Sequence, residues 1–279
     1  MDQFETVKTL QKIALMVFYF FSSVTLAQTP IEIRLFQSIS AVGPMTIEEF
    51  AAILPGKSSV NRKIRALEGE FSALGYFNCG EYFGSAQVVG RGDVIVTARH
   101  NFKNMAGDRL LTTFESCEFT VAAPSLGQKR YKIVSAAFDP DLSISTADED
   151  WAVAKLERVV EHAQPLAFVN NDYEPQVGQF FVQTTAFDST FRRNELTPRS
   201  FQVCSVRENR SWVGMSMITD CQNGGGASGS AQLVQTEGKF QLISIAIRSN
   251  RAAGRSASAP LKGAFLQALK QMTGIIGPQ

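Results

Sequence analysis

Between Val60 and Leu74 the apolar residues fall at three- and four-residue steps: Val60, Ile64, Leu67, Phe71 and Leu74, with Arg62, Lys63, Arg65 and Glu68 between them. That spacing predicts an amphipathic helix. Ahead of it, Thr46-Ile47-Glu48-Glu49 has the hydroxyl and carboxyl of a capping box before the apolar run Phe50-Ala51-Ala52-Ile53-Leu54, and Pro55-Gly56 is a stop. Residues 28–76 therefore read as a helical N-terminal extension or pro-segment. From about Phe77 the period changes. Short runs such as Ala86-Gln87-Val88-Val89, Val94-Ile95-Val96 and Phe180-Phe181-Val182 are separated by Gly, Asn and Asp. Many short strands with turn signals between them predict an all-β barrel or sandwich. Leu261, Phe265, Leu266, Leu269 and Met272 then share one face of a closing helix over about 261–275.

The first residues carry a different pattern. Met1 to Lys12 is polar, and Ile13 to Leu26 is uncharged and mostly apolar, closing on Thr25-Leu26-Ala27. This reads as a signal peptide, residues 1–27, cleaved after Ala27. The apolar run is short for crossing ~30 Å of hydrocarbon. Asp2 and Glu5 weaken the basic character of its start. An uncleaved anchor or a buried helix is the alternative reading. Export implies a secreted or periplasmic protein that meets the membrane only through its leader.

Composition changes the picture little. Among 279 residues, 44% are hydrophobic and 19% charged, ordinary values for a globular chain. A net charge of +1 gives no field for nucleic acid. Arg91-Gly92-Asp93 matches an adhesion tripeptide but reads as a turn before a strand. Asn209-Arg210-Ser211 is a glycosylation sequon. The four cysteines include no CxxC or His-Cys cluster, so neither structural zinc nor any other metal or cofactor is expected.

Candidate chemistry lies in three strings. His100 follows Val94-Ile95-Val96-Thr97-Ala98-Arg99, at a strand end. Taken alone it could be an inert, hydrogen-bonded histidine. Asp150 closes Asp148-Glu149-Asp150, a possible solvated turn, but the apolar Trp151-Ala152-Val153-Ala154 after it places the carboxylate at a buried edge. Ser228 sits in Asn223-Gly224-Gly225-Gly226-Ala227-Ser228-Gly229-Ser230, a flexible loop or else a backbone that exposes N–H groups to an oxyanion. A serine hydroxyl becomes a nucleophile only when an imidazole takes its proton and a carboxylate orients that imidazole. The second of the two histidines, His162, lies in a polar stretch and reads as a surface residue. Export makes two disulfides the natural use of four cysteines, with three connectivities possible. Cys79–Cys117 and Cys204–Cys221 are preferred because each pair then flanks one catalytic segment.

Together, Val94 to His100, Asp150-Trp151-Ala152-Val153-Ala154-Lys155-Leu156 and Thr219 to Ser230 resemble the trypsin/chymotrypsin-like serine proteases, particularly their bacterial branch. The order His, Asp, Ser excludes an α/β-hydrolase, which needs a histidine after its serine. The resemblance covers about 77–275. It implies two six-stranded antiparallel β-barrels (about 77–165 and 166–260), with the helical extension before them and the helix after. It also implies a protein or peptide substrate, a catalytic His100, Asp150 and Ser228, and an oxyanion hole from the N–H groups of Gly226 and Ser228.

Departures matter. Ala227 stands where trypsin itself has an aspartate that receives a new N-terminal ammonium, so that switch is absent in that form. Arg99 replaces a common alanine and is expected to point to solvent. By resemblance, Gln222 sits toward the base of the specificity pocket. Ala246 occupies the place of the histidine that glutamyl-cleaving relatives carry, and Arg248 either attracts acidic side chains or faces solvent. Gln222 disfavours cleavage after Lys or Arg. The rival function is a pseudoprotease, a binding protein on the same fold.

Overall fold

A computed structural model describes residues 44–54, 58–104, 109–111, 113–121, 129–138, 149–186, 200–210, 215–236 and 239–275. The leader, the first part of the extension and Ser211 of the sequon lie outside the described residues. The extension supplies α1 (Ile47–Ile53) and α2 (Val60–Glu70). At the start of α1 the Glu49 N–H donates to Thr46 Oγ1 (3.2 Å) and the Thr46 N–H to Glu49 Oε2 (2.7 Å). The capping box is thus formed as its spacing predicts.

The helix α2 ends sooner than its apolar period. Leu74, read as its last turn, instead begins β1 (Leu74–Cys79), which pairs with β2 (Tyr82–Val88). The reason is tertiary. At Gly75 an added Cβ would lie 2.3 Å from the Thr120 carbonyl, so the chain there is pressed flat against a neighbouring strand. The barrel therefore starts ahead of Phe77.

Barrel one closes in the order β1, β2, β3 (Val94–Ala98), β8 (Trp151–Leu156), β7 (Arg130–Phe138), β6 (Cys117–Val121) and back to β1, all antiparallel. A small hairpin, β4 (Lys103–Asn104) with β5 (Arg109–Leu110), stands beside it. Phe77 and Phe102, both fully buried, meet at 4.6 Å between ring centroids at its core. After the crossover, β9 (Ala167–Phe168) lies parallel to β14 (Lys239–Asn250). Barrel two closes in the order β13 (Ala231–Thr236), β10 (Phe180–Thr185), β11 (Ser200–Arg210), β12 (Met215–Thr219), β15 (Arg255–Pro260), β14 and back to β13. These are the two six-stranded antiparallel barrels that the resemblance implied. Cys79–Cys117 joins facing residues of β1 and β6, and Cys204–Cys221 ties β11 to the loop carrying Ser228.

The chain ends cross over. The extension precedes barrel one but packs on barrel two: Met45 bridges to Phe201 of β11, Phe50 stacks on Phe201 at 5.0 Å, and Phe71 touches Phe201 and Phe240, each at 5.2 Å. The last helix, α3 (Gly263–Thr273), follows barrel two but packs on barrel one, with Phe265 stacked on Trp151 at 5.1 Å. Each end thus holds the other barrel in place. At the turn before β3, Asp93 is 6% exposed and paired with Arg91 (2.7 Å) and Lys155 (3.3 Å), so the tripeptide is a locked turn and not a displayed ligand.

Phe71→Ala should lower stability by about 3–5 kcal/mol, read by chemical denaturation. Glu70 accepts from the Phe240 N–H (3.1 Å), and its burial raises its pKa above the usual carboxylate value, only partly offset by that bond. The folded state therefore holds this proton more tightly than the unfolded chain, and its contribution is lost as pH rises through the folded value. Glu70→Gln keeps the acceptor and removes the buried charge. The variant should melt above the parent at pH 7, and the gap should close toward about pH 4.

Candidate active site

The pairing of β3 with β8 brings His100 to Asp150. Ala98 faces Trp151 in register, and one residue further the Arg99 N–H donates to the Asp150 carbonyl at 3.2 Å. A 3-10 turn, Arg99–Phe102, then swings the histidine over the carboxylate. Asp150 is fully buried and accepts twice from one residue: from the His100 backbone N–H at Oδ1 (2.9 Å) and from His100 Nδ1 at Oδ2 (2.8 Å). A carboxylate on Nδ1 leaves Nε2 as the bare, basic nitrogen. The imidazole itself is 24% exposed, so it can meet a substrate.

Arg99 corrects an expectation. Its side chain is fully buried and does not point to solvent, because the same turn that lifts His100 outward carries its neighbour inward.

Ser228 comes from barrel two, and its loop docks on barrel one. The Ser85 N–H donates to the Ser228 carbonyl (2.8 Å), Asn101 Nδ2 reaches the same carbonyl (3.4 Å), and Ser85 Oγ donates to the Gly226 carbonyl (3.0 Å). Asn101 is the residue after His100, so the Ser228 loop is tethered next to the candidate base. The Ser228 hydroxyl donates to the Ile247 carbonyl (3.1 Å), and among the described residues it makes no hydrogen bond to His100. The N–H groups of Gly226 and Ser228 donate to no described acceptor, while Ala227, Gly229 and Ser230 use theirs within the barrel.

The specificity candidates are scattered in character. Gln222 is exposed, with its N–H on Gln202 Oε1 (3.1 Å). Ala246 is buried and exchanges backbone bonds with Gly229 and Ser230, and Arg248 is exposed. His162 is exposed, as a surface residue should be. No cluster of three or more His, Cys, Asp or Glu with metal-ligand geometry occurs among the described residues.

A family model described as a trypsin-like peptidase domain matches residues 84–241. The chain belongs to the trypsin-like peptidase family. Among solved structures, a Glu endopeptidase in complex with MPD aligns with a TM-score of 0.59 at 12% identity, over 73% of this chain and 91% of that one. At that identity the likeness speaks for the fold alone. No curated protein matches this peptidase-family chain in sequence.

Sequence reasoning missed Ser85 and Asn101, which tie the loop to barrel one. The signal for them was thin: a Gly84-Ser85 pair inside an otherwise bulky strand, and an amide following the histidine. It also missed what Gly229 does. Gly229 sits at φ +86°, and a Cβ there would lie 2.1 Å from the Ser85 carbonyl and 2.4 Å from Thr97 Oγ1. Gly229→Ala should cost about 1–3 kcal/mol from backbone conformation alone, with the clash added. Thermal unfolding should show that loss, and serine-probe labelling should fall further than the stability loss accounts for.

Proposed function

We propose that this chain is an exported serine endopeptidase acting through His100, Asp150 and Ser228. The double hold of buried Asp150 on His100 carries the reading, since a histidine kept only for packing needs no carboxylate on both its backbone and its ring. In this mechanism the Ser228 hydroxyl turns from the Ile247 carbonyl toward Nε2 of His100. Its oxygen attacks the peptide carbonyl as Nε2 takes the proton. Asp150 stabilises the imidazolium, and the N–H groups of Gly226 and Ser228 receive the oxyanion. Losing one such donor typically costs about 10²–10³ in rate. His100 then protonates the leaving amine, and water, deprotonated by His100, releases the acyl group.

Residues 1–27 act as the export leader in this reading, which suits the two disulfides. No helix among the described residues is long and apolar enough to cross a membrane. The segment 44–71 stays with the mature enzyme, because Phe50 and Phe71 are fully buried against barrel two. Gln222, Ala246 and Arg248 line the specificity pocket in this reading, and none of the three carries the carboxylate that cleavage after Lys or Arg requires.

One observation favours a second reading, a binding protein on the peptidase fold: the Ser228 hydroxyl is engaged by Ile247 and not by His100. A fluorophosphonate separates the two. The purified protein should be labelled at Ser228, and Ser228→Ala should lose labelling and about 10⁶ of kcat. A folded parent that stays unlabelled would leave the binding reading standing.

A further inference from the structure

Barrel two encloses a line of side chains whose hydrogen bonds all run one way. Ser244 Oγ donates to Gln232 Oε1, Gln232 Nε2 to Gln183 Oε1 (3.0 Å), Gln183 Nε2 to Asn223 Oδ1, Asn223 Nδ2 to Ser256 Oγ (3.1 Å), and Ser256 Oγ to the Cys221 carbonyl (2.8 Å). The first three stand opposite one another across adjacent strands: Ser244 of β14 faces Gln232 of β13, which faces Gln183 of β10. None of the side chains is more than 4% exposed. A branch reaches the far end of the serine loop, where Ser230 Oγ donates to Thr185 Oγ1 (2.9 Å), itself a partner of Gln183 Nε2 (3.4 Å). The line thus grips the loop at Cys221, Asn223 and Ser230, on both sides of Ser228.

Such groups are costly to bury unless each is paired, and leucine would fill the glutamine positions without that demand. Aligned donors in a dry interior strengthen one another, so the array resists distortion as a unit. The loop needs such support. Ala227 is buried and cannot receive an ammonium ion, so a carboxylate beside the nucleophile is not what shapes this loop. We propose that Gln183, Gln232, Asn223 and Ser256 are positioning residues that hold the Gly224–Ser228 backbone in its oxyanion-binding shape, so that the loop needs no new N-terminus to form. This rests on the proteolytic reading for its consequence, but not for the ordering of the loop.

The test uses the full secreted chain with Ser256→Ala, Ser256→Thr and Gln183→Leu. Two quantities are read: the rate of fluorophosphonate labelling and hydrogen exchange of the amides in 221–230. Ser256→Ala should slow labelling by about tenfold to a hundredfold and speed exchange at 224–228 while the β10 and β13 amides stay protected. For a peptide substrate, kcat should fall and KM should stay within about twofold. Ser256→Thr, which keeps the hydroxyl, should restore most of both. Should Gln183→Leu fail to fold, the Ser256 pair decides alone. Parental exchange at 224–228 in folded Ser256→Ala would overturn the proposal, as would a rise spread evenly over barrel two with labelling unchanged. An unlabelled parent would instead defeat the proteolytic reading, and the exchange comparison would still judge the loop.

Discussion

Everything at this site depends on how closely the two barrels approach along one short seam. Ser85 on β2 bonds to Ser228 and Gly226 of the other barrel, and Thr97 Oγ1 donates to the Ser85 carbonyl (2.8 Å), so one buried serine joins three segments. Two glycines allow it. A Cβ at Gly84 would lie 2.3 Å from Asn101 Nδ2 and 2.7 Å from the Ser228 carbonyl, and Gly229 is as tightly enclosed. Close approach costs the side chains that would otherwise pack there. Hydrogen bonds across the seam offset that loss, and they also set how His100 on one barrel stands to the Ser228 hydroxyl on the other.

A seam so narrow would open easily if only hydrogen bonds held it. The crossing ends supply the apolar component. The rings of Phe50 in α1 and Phe71 just past α2 grip barrel two although they enter the chain before barrel one. The ring of Phe265 grips barrel one although it leaves the chain after barrel two. Pulling the barrels apart therefore exposes buried aromatics at both ends, at about 25 cal/mol for each Å² of apolar surface. Stability and site geometry are linked through this lacing, and for that reason the extension behaves as part of the peptidase fold's frame.

Within the frame the site's two halves are held by different means. Barrel one presents a histidine clamped by a buried carboxylate. Barrel two presents a glycine-rich loop with little side-chain bulk to order it, restrained by the Cys204–Cys221 bridge and by amides and hydroxyls from below. Among the described residues the N–H groups of Gly226 and Ser228 meet no acceptor, while the carbonyls of the same two residues accept from Ser85. The Ser228 hydroxyl donates to the Ile247 carbonyl of the same barrel.

Local pattern was enough for the helices' existence, the β texture, the capping box at Thr46 and the three chemical strings, because each depends on neighbours a few residues away. Chain order and cysteine positions were enough for the family and the disulfides. Other features depend on groups remote in the chain. Leu74 left its helix for a strand because Gly75 meets Thr120. Arg99 turned inward because its turn is docked on Asp150. Gln183 and Gln232 are polar members of apolar strands, yet they are buried, because Gln183 donates to Asn223 of the returning serine loop and Gln232 donates to Gln183. Periodicity reports which face of a segment is apolar, but not what will later be folded against the other face; that depends on long-range closure of the barrels.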